Sequence, residues 1–207
     1  MKYLFIFLLI PLFLFGQTTY TLEDSTHTTT SGVSDIGLGY LNRDYVAQKV
    51  TITGNYDIRK IGARVEKRNG ESPVMDFIAH IFSHDATGDQ PLTNLGTSTN
   101  TVNAATFPAF DSPDFVYFTF DAGITVAIDD TVWVALEALT TSSTNYCAWQ
   151  YKSGDPPKAM YDADGVGNWT LVSNNVGQTR IYSGVDPSGD TEDKFDGFDK
   201  PSGWPGW

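Results

Sequence analysis

The stretch F-V-Y-F-T-F-D-A-G-I-T-V-A-I-D-D-T-V-W-V-A-L-E-A-L, residues 115–139, decides the fold. Val116, Phe118 and Phe120 alternate with Phe115, Tyr117 and Thr119; Val132, Val134, Leu136 and Ala138 alternate with Trp133, Ala135 and Glu137. A period of two in β-branched and aromatic residues is the mark of a half-buried strand. The interruptions at Asp121-Ala122-Gly123 and Asp129-Asp130 read as turns, so the stretch predicts two inner strands of a sandwich.

The same alternation extends in both directions. Tyr45–Thr53, Ile58–Lys67, Val74–Ser83, Tyr146–Tyr151 and Thr179–Val185 read as strands. In the second of these, Ile61, Ala63 and Val65 alternate with Lys60, Arg64 and Glu66, as in an antiparallel sheet wet on one side. Leu92–Val102 is Thr-rich and reads as an edge strand. Ala159-Met160-Tyr161 and Asn168–Ser173 read as a hairpin around D-A-D-G-V-G. No stretch of the mature chain carries a helical period. Short strands at regular spacing with Gly, Pro and Asn turns predict an all-β, jelly-roll-like antiparallel β-sandwich of about eight to ten strands.

Composition sets the ends of that domain. Lys2, an apolar run through Phe15 and the small Gly16 describe a signal peptide over residues 1–16. The alternative, a retained anchor helix, needs roughly 20 apolar residues, more than the run supplies. Residues 17–35 are Thr- and Ser-rich and read as a flexible lead-in, or at most an edge strand. The sandwich then occupies 36–185, and 186–207 form an acidic tail rich in Gly and aromatic residues.

The formal charge of −12 excludes nucleic acid and anionic membrane as general partners, because both require clustered Lys and Arg. A secreted or cell-surface location is expected, with no membrane contact once the signal is removed. The single cysteine, Cys147, forms no internal disulfide and reads as a small buried hydrophobe.

The order of motifs resembles a known architecture. Ala47-Gln48-Lys49-Val50-Thr51 opens it, followed by I-x-x-I-x-x-x-V from Ile58 to Val65 and D-x-x-x-x-I from Asp76 to Ile81. Then come D-D-T-V-W-V-A-L from Asp129, D-G-x-x-N-W-T from Asp164 and R-I-Y from Arg180. This run, roughly Tyr45 to Val185, resembles the secreted bacterial jelly-roll modules of the choice-of-anchor type. The resemblance implies a non-catalytic, extracellular, carbohydrate-binding-like module.

Catalytic grammar is sparse. The chain has no G-x-S-x-G elbow, no H-E-x-x-H and no phosphate loop. A retaining glycosidase needs two carboxylates about 5 Å apart. Glu137 and Asp76 are the candidates within strands, and solvated acids on an outer sheet face are the simpler reading. His80 and His84 lie about 13 Å apart along a strand, too far to share a metal. No cofactor is expected. Asp162 and Asp164 resemble the start of a calcium loop but lack its terminal Glu, so an ordinary turn is the simpler reading.

Aromatic residues carry the functional expectation. Trp133, Trp149, Tyr151 and Tyr117 are the candidate ligand-binding residues, because exposed rings stack on sugar faces. The competing reading packs them into the core. The expected partner is a polysaccharide or surface glycan. The alternatives are copies of the chain itself, as a structural subunit of a surface layer, filament or virion, and, more remotely, a glycan-cleaving enzyme.

Overall fold

A computed structural model describes residues 19–26, 33–40, 43–68, 73–153, 160–163, 168–173 and 175–185. The signal segment, His27, the Asp164-Gly165 turn with the Asp162 side chain, and the acidic tail lie outside the described residues. Tyr20–Gly184 forms one compact unit, and a second unit, Met1–Thr19 with Val185–Trp207, consists almost wholly of residues outside that set.

The strands run in chain order β1 (Thr19–Ser25), β2 (Val33–Leu38), β3 (Tyr45–Thr51), β4 (Tyr56–Lys67), β5 (Asp76–Asp85), β6 (Gln90–Thr97) and β7 (Val102–Asn103). They continue as β8 (Asp114–Val126), β9 (Thr131–Ala138), β10 (Cys147–Ser153), β11 (Met160–Ala163), β12 (Thr170–Ser173), β13 (Asn175–Gly177) and β14 (Thr179–Val185). A 3-10 turn, Ala104–Thr106, is capped by the Asn103 side chain. The surplus over the expected strand number comes from short pieces such as β7, β11, β12 and β13.

Two sheets form. One joins β1, β14, β4, β10 and β13, with β2 on β10 and β8 on β4; the other runs β12-β11-β3-β9-β5-β6, with β7 on β5. Three antiparallel pairs are nested around the turn between β5 and β6: β5 with β6, β4 with β8, and β3 with β9. The segment from Tyr45 to Ala138 is therefore one long hairpin. It folds over between the sheets because β4 and β8 cross together while their neighbours stay behind. This is the path of a jelly roll.

The alternation read from 115–139 places the side chains correctly. Phe118, Phe120, Val132, Val134, Leu136 and Ala138 all enter the inter-sheet core, with Ile61, Ala63, Val65, Phe77 and Ile81. Each large apolar side chain buried there contributes about 1.5–3 kcal/mol relative to exposure. Cys147 is part of the same core. Gln48 is fully buried between the sheets, where its Oε1 accepts from Gly177 N of the opposite sheet at 2.5 Å. A polar residue at this depth is tolerated because its hydrogen bonds are made.

One expectation is corrected. Asp121-Ala122-Gly123 is not a turn. Ile58 pairs with Ile124 and Lys60 with Thr119, so the residues between stand opposite Arg59 as a bulge. Arg59 fills it by donating to the Asp121 carbonyl, and a Cβ on Gly123 would lie 2.7 Å from Arg59 Nε. The turn between β8 and β9 is formed by residues 127–130, with Asp130 Oδ2 accepting from Ala127 N at 2.8 Å.

The Thr-rich lead-in, read as flexible or at most an edge strand, supplies β1 at the edge of the first sheet and leads into β2 on β10. Asp24 anchors β1 despite the scarcity of apolar residues. Its buried carboxylate accepts from Thr53 N at 3.1 Å, from Thr53 Oγ1 at 2.7 Å and from the Tyr56 hydroxyl.

Candidate binding face

The four aromatic candidates do not share a surface. Trp149 is fully buried in the inter-sheet core, with Nε1 donating to the Gln178 carbonyl at 3.1 Å. Tyr151, two residues on, packs against the same core and is half-buried. Trp133 points to the opposite side of its sheet, as the alternation required, yet it is also fully buried. Ala47, Ala135, Phe82 and Trp169 form a second apolar cluster around it, and Lys49 lies 5.8 Å over its ring. The two tryptophans thus serve packing, whereas Tyr151 keeps a partly exposed side chain. Tyr117 alone is exposed, at 36%.

Tyr117 belongs to a surface that spans the outer face of the first sheet. Register places Arg180, Gly62 and Tyr117 in one row across β14, β4 and β8, with Tyr182, Lys60 and Thr119 in the next. Gly62 is the low point of this face. A Cβ there would lie 2.9 Å from Tyr117 Cε1 and 3.2 Å from Phe115 Cδ1, so the two rings occupy the space that the glycine leaves open. The Phe115 and Tyr117 centroids are 6.5 Å apart with planes 26° from parallel. That separation matches the spacing of alternate residues along a strand, so the rings sit side by side as two tiles.

Cations are set among the rings. Lys60 Nζ lies 4.2 Å from the Tyr117 centroid, 4.6 Å from Tyr20 and 5.0 Å from Tyr182. The Arg180 guanidinium carbon stands 3.8 Å over Phe115. Tyr117 and Tyr182 meet edge-on at 6.0 Å. Burial raises the Tyr117 hydroxyl above its ordinary pKa, the neighbouring Tyr182 adds to the effect, and Arg180 opposes it. The Tyr117 hydroxyl therefore remains protonated at neutral pH.

The sequence pointed Phe115 and Tyr117 outward but missed Tyr20, Lys60, Arg180 and Tyr182. Alternation of Arg180 and Tyr182 in R-I-Y was the available signal. Their convergence on Lys60 depends on a register that no local pattern encodes.

The free edge of β8 beside this surface is partly closed. Thr99 N donates to the Thr119 carbonyl at 2.8 Å, and the Asn100 side chain accepts from Thr119 N at 2.7 Å and donates to the Tyr117 carbonyl at 3.1 Å. An asparagine thus occupies the hydrogen bonds an added strand would use.

The other sheet presents a different chemistry. His80 and Glu137 are hydrogen-bonded on its outer face beside Tyr45 and Trp169. Glu137 is therefore held by neighbours and is not the solvated acid expected. Asp76 is likewise engaged, accepting from Asn103 Nδ2 at 2.6 Å. His84 Nδ1 accepts from Trp133 Nε1 at 3.2 Å. A cleft of about 420 Å³ lies between His84 and the β8–β9 turn, with Asp129 and Asp130 on its rim.

No protein-family model matches this chain, and no curated protein resembles it closely enough to be counted a relative. Among the described residues, no helix is long and apolar enough to cross a membrane.

Proposed function

We propose that this protein is a non-catalytic, exported glycan-binding module whose ligand lies on the outer face of the first sheet, over Tyr117. The observation that carries the reading is the exposed Tyr117 ring, set side by side with Phe115 over the open position of Gly62. The exposed part of the Tyr117 ring offers apolar surface to a sugar ring, and the flanking Lys60, Arg180 and tyrosine hydroxyls supply hydrogen bonds to its oxygens. An exposed patch of this kind on a rigid sheet is preorganised, because its side chains are already fixed by one another. The jelly-roll path and the likeness to choice-of-anchor modules support the same class.

The closed β8 edge favours glycan binding over assembly by strand addition. Affinity electrophoresis of the protein against a panel of polysaccharides tests the reading. Retardation by at least one polysaccharide, lost in Tyr117→Ala, is the expected result. Concentration-dependent self-association with no retardation on any sugar would support the structural-subunit reading instead. Release of reducing ends would point to a glycan-cleaving enzyme.

A further inference from the structure

We infer that the glycan taken by this face is anionic, its carboxylate or sulfate groups seated between Lys60 and Arg180. The inference rests on the glycan-binding reading and specifies its substrate class.

The whole chain carries −12, yet the platform displays two cations. Other cations of the described residues are engaged by the fold. Lys49 pairs with Asp89, Arg59 fills the bulge, Arg64 donates to the Pro113 carbonyl and to Gln178, and Lys67 donates to the Ala105 carbonyl. Lys60 and Arg180 instead rest on ring faces, and among the described residues neither is ion-paired with a carboxylate. A ring face attracts a cation through its quadrupole but offers no lone pairs in the plane of the N–H groups. Arg180 also donates to the Tyr117 and Tyr182 hydroxyls, so the Lys60 ammonium and the remaining N–H groups of the five-donor guanidinium are what a ligand can use.

The surface is also one-sided in hydrogen bonding. Lys60 and Arg180 can only donate, and the tyrosine hydroxyls add further donors. A neutral sugar presents hydroxyls that both give and take, and sites for it mix amides and acids with donors. A donor-rich face suits an acceptor-only group. The guanidinium fork matches two oxygens of a carboxylate or sulfate, while the ammonium on the adjacent row serves as a point charge.

The test uses the full mature chain and isothermal titration with polygalacturonate, dextran sulfate and neutral dextran. The two anionic arms distinguish carboxylate from sulfate. At least one anionic polymer is expected to bind roughly tenfold or more tightly than the neutral one, with affinity falling as salt is raised. Lys60→Gln and Arg180→Gln should each weaken the anionic ligand by roughly tenfold, and Arg180→Lys should restore part of the loss. Unchanged melting temperatures would confirm that the variants fold. Equal affinity for neutral and anionic polymers, abolished by Tyr117→Ala, would overturn this inference and leave the glycan-binding reading standing. Anionic binding untouched by Lys60→Gln and Arg180→Gln would also overturn it. No binding to any polysaccharide would remove both.

Discussion

His80 Nε2 lies 2.6 Å from Glu137 Oε2, a diagonal contact across the ladder of β5 and β9, where His80 pairs directly with Ala135. On the other side of the ring, Nδ1 meets Thr97 Oγ1 at 3.0 Å and the Asn94 amide nitrogen at 3.1 Å. An amide donor at Nδ1 fixes the neutral tautomer, with Nε2–H given to Glu137. Burial lowers the His80 pKa, and the Glu137 carboxylate pulls in the opposite direction without overcoming it.

The first prediction follows from that shift. The unfolded chain takes up a proton near pH 6.5 while the folded chain resists, so the unfolded state binds more protons below that point. Stability should therefore fall as pH drops from about 6.5 towards the lowered His80 value. Urea unfolding at pH 7.5 and pH 5 checks this. His80→Gln should flatten that part of the profile, and an unchanged slope would contradict it.

A second prediction concerns alkaline pH. Burial and a hydrogen bond to Asp24 raise the Tyr56 hydroxyl, and burial and a hydrogen bond to Glu137 raise Tyr45. Unfolded tyrosine loses its proton near pH 10 and folded Tyr45 and Tyr56 do not, so stability should fall as pH rises past about 10. Tyr56→Phe should reduce this loss. It should also cost about 1–3 kcal/mol at pH 7, because the buried Asp24 carboxylate loses one of its donors.

Trp149 and Trp133 separate stability from binding. Trp149→Ala should destabilise by about 3–5 kcal/mol, through the cavity it leaves and the donor lost by the Gln178 carbonyl. Trp149→Phe and Trp133→Phe, which keep most of the volume, should leave polysaccharide binding unaltered in protein that remains folded. A binding defect in either would return that tryptophan to the ligand site.

Gly62 makes the opposite separation. The residue is in a strand, where alanine is as well tolerated as glycine, so Gly62→Ala should change stability by less than about 1 kcal/mol. The new Cβ displaces Tyr117 from its seat, and retardation on polysaccharide gels should weaken.

How far the sequence carried the fold is visible in these residues. Alternation placed Phe118, Val134 and Leu136 inward and Tyr117 outward, because a strand's period is a local property. The same pattern put Trp133 outward and could not foresee that Trp169 and Phe82 would cover it. Exposure depends on what the rest of the chain lays over a face. His80 with Glu137, and Lys60 with its three tyrosines, arise from register between strands far apart in sequence. Asp24 was hidden for a related reason, since its donors lie beyond Val50.

Chemical-shift mapping of the ¹⁵N-labelled protein titrated with the polysaccharide that retards it most tests the central claim directly. The account predicts perturbations concentrated at Lys60, Gly62, Phe115, Tyr117, Arg180 and Tyr182, with the His80–Glu137 face unmoved. Shifts confined to the outer face of the second sheet, or to the cleft beside His84, would contradict it.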